Sequence, residues 1–166
     1  MNHALSPFVI GCLAPLIMVG CHHDVPLTPK TMPAVGLKNS HDKKVAIILE
    51  AAAVPNKVDT GTGGHSYTIL NVRQYYEQAL VTSLRDQVRQ IKVLPVVPKK
   101  RARYDAYVHL SVQIEMGGFF GYTCTADTTI WVTDSKGKEV SRKTSKQKRT
   151  FLEMSHGGRS CQIAMG

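Results

Sequence analysis

Three apolar patterns divide the chain: an unbroken run at the start, a four-residue repeat in the middle and strict alternation after it. Val45-Ala46-Ile47-Ile48-Leu49, entered from Lys43-Lys44, is a continuous apolar run of strand length and predicts a buried strand. A loop is expected over residues 53–66, which hold Pro55 and Gly61-Thr62-Gly63-Gly64. Val72, Tyr76, Leu80, Leu84 and Val88 then recur every four residues, with Ala79 and Ile91 beside them, and predict a helix that begins after Asn71 and fades around Gln90. Asn71 is its expected N-cap, paired with Gln74 in a capping-box-like arrangement. A second strand is expected over 91–97, shortened or placed at an edge by Pro95. In 105–115, Ala106, Val108, Leu110, Val112 and Ile114 alternate with Tyr107, His109, Ser111, Gln113 and Glu115, the pattern of a half-buried strand. Gly117 to Gly121 turns the chain into a Thr-rich strand over 122–134. Asp134-Ser135-Lys136-Gly137-Lys138 is a hairpin turn leading to a returning strand over 139–149. The elements add up to an α+β fold, an α/β sandwich. One long helix packs on a mixed, largely antiparallel sheet of about four or five strands.

The opening run, Ala4 to Gly20, carries no Asp, Glu, Lys or Arg and is broken by Pro7 and Pro15. It is short for a bilayer-spanning helix, which needs about 20 apolar residues. It is long enough for a secretory signal, whose apolar core spans about 7–15. Met18-Val19-Gly20-Cys21 resembles the lipobox of bacterial lipoproteins. That resemblance implies cleavage before Cys21, with a diacylglycerol and an N-acyl chain on that cysteine and no other cofactor. His22, rather than Asp, follows Cys21, which in enteric-type lipoproteins implies the outer membrane and a periplasmic domain. The expected organisation is a signal peptide over 1–20, a lipidated N-terminus and Pro-rich tether over 21–43, a domain over 44–154 and an irregular tail over 155–166.

Of four cysteines, Cys12 leaves with the signal and Cys21 is acylated on this reading. Cys124 and Cys161 remain as an even pair in an oxidising compartment, where a disulfide between them is expected. Neither has a second cysteine at zinc-ligand spacing.

The order of strand, helix, strand and antiparallel meander resembles small periplasmic lipoproteins: the YajG-like group and domains similar to the N-terminal domain of TolB. The carrying segments are Val45–Leu49, Asn71–Ile91, Asp105–Glu115 and Tyr122–Val140. The resemblance implies an envelope protein.

The net charge of +9 falls entirely after the signal. Lys99 to Arg103 carries four cations, and residues 136–149 carry seven against Glu139. Such a surface is either a protected sheet edge or a contact for an anionic partner. Nucleic acid is excluded by the compartment, although charge alone would admit it. Gly61 to Gly64 lacks the Lys-Ser/Thr of a phosphate-binding loop. His22-His23-Asp24 and His41-Asp42 lie in the tether, where nothing presets a metal geometry, so no metal site is expected. No nucleophile–base–acid set follows from spacing, and an enzyme is not expected. Phe119 and Phe120, between glycines, either fold over the core or dock. The sequence therefore predicts a non-enzymatic adaptor or assembly factor of the envelope. Its partner is an envelope protein or an anionic envelope lipid such as lipopolysaccharide, met through Phe119, Phe120, Lys136, Lys138, Arg142 and Lys143.

Overall fold

The computed structural model describes residues 21–27, 42–62, 65–117 and 122–151. Among them, eight strands surround one short helix, in the order β1 (Cys21–Pro26), β2 (Lys44–Ile48), β3 (Lys57–Thr62), β4 (His65–Leu70), α1 (Val72–Leu84), β5 (Gln90–Leu94), β6 (Ala106–Gly117), β7 (Tyr122–Asp134) and β8 (Glu139–Phe151). The fold is mainly β, built on two mixed sheets ordered β1-β4-β3 and β5-β2-β6-β7-β8. The expected α+β sandwich with one long helix is therefore incorrect.

Three local causes account for the difference. The helix stops at Leu84 instead of fading near Gln90, because the chain must reach β5, where Ile91 and Val93 pair in parallel with β2 through Val45↔Ile91 and Ile47↔Val93. β-branched side chains suit that pleated surface better than a further helical turn. The expected loop over 53–66 is mostly an antiparallel hairpin, β3 on β4, with Tyr67 and Ile69 buried. And the first residues of the expected tether form β1, parallel to β4 from Cys21↔His65 to Pro26↔Leu70. Val25 and Leu27 are buried in the main core there. Pro26 is tolerated because β1 is an edge strand.

The helix also starts differently from expectation. Asn71 sits in the left-handed region at φ 63° and makes no side-chain cap, so the capping box with Gln74 does not form. Asn is among the few residues that adopt this conformation readily.

Val45 and Ile47 of β2, and Leu49 just after it, join Val72, Tyr75, Tyr76 and Leu84 in one cluster with the inward residues of β6. The opposite face of β2 is covered too. Ala46 and Ile48 pack with Tyr104, Tyr107, Leu94 and Val97. This second layer buries Tyr107, and His109 on the same face of β6 is buried against Trp131; simple alternation placed both outward. Towards β8 the core runs out. Described β8 side chains are exposed, apart from a half-buried Ser145, and β8 ends the sheet.

Candidate functional site

The strands bring the basic segments together at one end of the molecule. On β2 and β5, the face carrying Ala46 and Ile48 also carries Lys44, Gln90, Lys92 and Leu94, because the parallel register sets Lys44 opposite Gln90 and Ala46 opposite Lys92. With Pro98, Arg103 and Tyr104 these residues line a cleft of about 420 Å³. Three cations and no carboxylate form its wall. The nearby Asp105 carboxylate accepts the backbone N–H of Lys44 at 2.8 Å, and the Asp105 N–H donates to the Lys44 carbonyl at 2.9 Å. That reciprocal clasp engages the carboxylate with backbone.

The turn between β7 and β8 lies at the same end. One Asp134 carboxylate oxygen accepts the N–H groups of Lys136 and Lys138, each at 2.9 Å, which fixes the turn and leaves both lysine side chains outward. The loop before β6 folds onto it. A single 3-10 turn, Arg101–Arg103, is held by the Tyr107 hydroxyl, which donates to the Arg101 carbonyl. The Arg101 guanidinium then lies against Gly137. Two basic segments that the sequence shows 35 residues apart (Arg101 and Lys136) thus form one surface.

A second constellation crosses the outer face of β6, β7 and β8. The His109 and Trp131 rings stack at 5.0 Å and 7°, and the Arg142 guanidinium lies 5.0 Å from the Trp131 ring centre. His109 Nε2 is 3.1 Å from the Thr133 hydroxyl. Burial pushes the His109 pKa down; Glu50 opposes that and Arg101 adds to it. Arg142 makes two contacts with Glu139, at 2.6 and 3.0 Å. Hydrogen bonding within this pair raises the arginine pKa and lowers that of the glutamate. Arg142 is therefore committed to internal partners, and it faces away from Lys143, its neighbour in the alternation. Lys146 pairs with Asp127 at 2.9 Å. Among the described residues, no ion pair engages Lys143, Lys148 or Arg149.

The expected contact residues thus divide. Lys136 and Lys138 join the basic end, while Arg142 and Lys143 lie on opposite faces of β8. Phe119, Phe120 and Cys161 lie outside the described residues. Cys124 is fully buried and disulfide-bonded. Arg103 belongs to a basic segment that the sequence singles out, whereas Lys44 and Lys92, which line the cleft with it, were missed. Their signal was the shared face of two parallel strands, and it required the pairing of β2 with β5.

At the opposite end, β1 sets His22 among three polar side chains. Its Nδ1 is 2.9 Å from the Ser66 hydroxyl, and its Nε2 is 3.3 Å from both Asp24 and Thr68. Thr68 in turn donates to Asp59 at 2.6 Å; that bond, then Lys57, holds the Asp59 carboxyl below its ordinary range. The order hydroxyl, imidazole, carboxylate is that of a hydrolase set, but His22 and Asp24 are 56% and 63% exposed on an open sheet face. Nucleophilic catalysis draws most of its rate from preorganised donors in a water-excluded site. Among the described residues no cluster of three metal-ligating side chains occurs, and no helix is long and apolar enough to cross a membrane.

No protein-family model and no curated protein matches the sequence. Solved structures of similar outline include a bacterial lipoprotein, GNA1162 from Neisseria meningitidis. It is 11% identical over 74% of this chain and 95% of that one, with a TM-score of 0.42. Another is an uncharacterized protein, 12% identical over 84% and 92% of the two chains, with a TM-score of 0.38. Neither match places the chain with the YajG-like or TolB-type groups, and neither bears on function.

Proposed function

We propose that this chain is a lipid-anchored envelope protein, acylated at Cys21, that holds an anionic envelope component on its basic end as a non-enzymatic adaptor. The observation that carries the reading is the cleft walled by Lys44, Lys92 and Arg103 with no carboxylate. It adjoins a surface where Arg101, Lys136 and Lys138 converge. Gathered like charge of this kind disfavours the folded state by self-repulsion and attracts an anionic ligand. The exposed cations of a sheet edge guard against aggregation, but Lys44 belongs to β2, inside the five-stranded sheet, and shares the cleft with Lys92 of the edge strand β5. A narrower reading makes the component a phosphorylated lipid such as lipopolysaccharide. The concave shape favours this, because a cleft takes a headgroup phosphate where a flat patch takes only a protein face.

The anchor is tested by fractionating envelopes of cells expressing wild type and Cys21→Ser, with the mass of the N-terminal peptide measured in each. Wild type pellets with membrane and carries acyl mass, while the variant is released without it. If the two fractionate alike and neither carries lipid, the anchor is wrong. The narrower reading predicts binding to lipopolysaccharide micelles that weakens steeply as salt rises. Binding indifferent to salt removes it.

A further inference from the structure

We infer that Cys21 is a rigid anchor, which seats the β1 end of the molecule on the bilayer and holds the basic end away from it. The inference rests on the acylation proposed for Cys21.

Cys21 is the first residue of β1, so no spacer separates the acylated residue from the folded sheet. The parallel register sets Cys21 level with His65, and His65 level with Thr62 of β3. β3 runs beside β6 in the same sense. The Val112 N–H donates to the Ala53 carbonyl at 2.9 Å, and further along the Met116 N–H donates to the Thr60 hydroxyl at 3.0 Å. The Cys21 end is thus the Gly117 end of β6. Gly117 is opposite Thr123, and Thr123 is opposite Thr150, their hydroxyls 2.8 Å apart. β8 therefore finishes at the same end, presenting Lys148, Arg149 and Thr150, all exposed.

The occupant of this end is the bilayer surface. Lys148 and Arg149 have no ion pair among the described residues, and they stand over anionic headgroups once Cys21 is inserted. Exposed Glu115, across β7 from Lys148, is the opposing charge described there. The basic end lies at the far end of β6, a 12-residue strand. At about 3.3 Å per residue, that is roughly 35–40 Å from the anchor. Lys44, Lys92, Arg103, Lys136 and Lys138 therefore face an anionic group across the compartment, and not the membrane that holds Cys21.

The test uses the acylated full chain in vesicles of phosphatidylethanolamine and phosphatidylglycerol carrying a headgroup-nitroxide lipid. Tryptophan reporters are placed in a Trp131→Phe background, at Thr150→Trp or Lys148→Trp for the anchor end and at Lys138→Trp for the basic end. Nitroxide quenches both anchor-end reporters and leaves Lys138→Trp at the level of nitroxide-free vesicles. A Gly-Ser spacer inserted between Cys21 and His22 abolishes this difference while the acyl mass is retained. Equal quenching at both ends in an acylated chain without the spacer overturns the inference and leaves the anchor standing. A chain without acyl mass overturns both.

Discussion

The guanidinium of Arg101 occupies the space where a side chain on Gly137 would begin. Gly137 has φ +88°, a conformation that an L residue adopts only with strain. Forcing a Cβ there costs about 1–2 kcal/mol. Gly137→Ala is expected to lower the unfolding free energy by about that amount in chemical denaturation. Gly137→Asn should lose less, since Asn enters this region more easily. Equal losses from both variants would mean that displacing Arg101, and not the backbone, sets the cost.

Leu27 follows β1, and its N–H donates to the Leu70 carbonyl at 3.2 Å while its side chain is 3% exposed. Leu27→Ala is expected to destabilise the fold by about 2–5 kcal/mol, the range for truncating a buried leucine. Thermal unfolding checks this. A melting temperature unchanged from wild type would mean that β1 is not part of the cooperative fold, and a rigid anchor would lose its basis.

His109 predicts a pH dependence. Burial depresses its native pKa below the ordinary histidine value of 6.5, so between those two values the unfolded chain binds more protons than the native one. Stability from neutral His109 is therefore fully present above pH 6.5 and is lost as pH falls through the native value. The groups around it are Thr133, Trp131, Glu50 and Arg101. His109→Gln, which cannot titrate, should flatten the fall in melting temperature in that window. A variant that keeps the wild-type slope assigns the effect elsewhere. Asp59 and Glu139, whose pKa values are lowered from 3.8 and 4.5, act only in more acidic solution. Their contribution is present above those values and is lost below them.

Strands with a one-face pattern were legible in the chain. Residues 105–115 and 122–134, and the turn at Asp134 to Lys138, lie where alternation and turn chemistry set them. What failed was anything dependent on a distant partner. Ile91 extends the helical repeat as well as it begins a strand, and only its pairing with Val45 decides between them. Tyr67 and Ile69 alternate with Ser66 and Thr68, yet the glycines before them read as loop; Gly63-Gly64 between two β-branched runs was an available hairpin signal. Residues 21–26 hold two histidines, Asp24 and Pro26 and carry no apolar period of their own, so β1 exists through β4 alone. The cleft was invisible for the same reason. Lys44, Lys92 and Arg103 belong to three separate segments whose adjacency is a property of the sheet.

The basic end is tested by binding of lipopolysaccharide to the acylation-free Cys21→Ser chain, compared between two sets of neutralised residues. One set is Lys44→Gln, Lys92→Gln and Arg103→Gln in the cleft. The other is Lys148→Gln and Arg149→Gln at the anchor end, with circular dichroism confirming that both fold. A binding site at the basic end requires a large loss of affinity and a shallower salt dependence for the first set, and near wild-type behaviour for the second. Equal losses from the two sets, or wild-type affinity from the first, would contradict a binding site at the basic end.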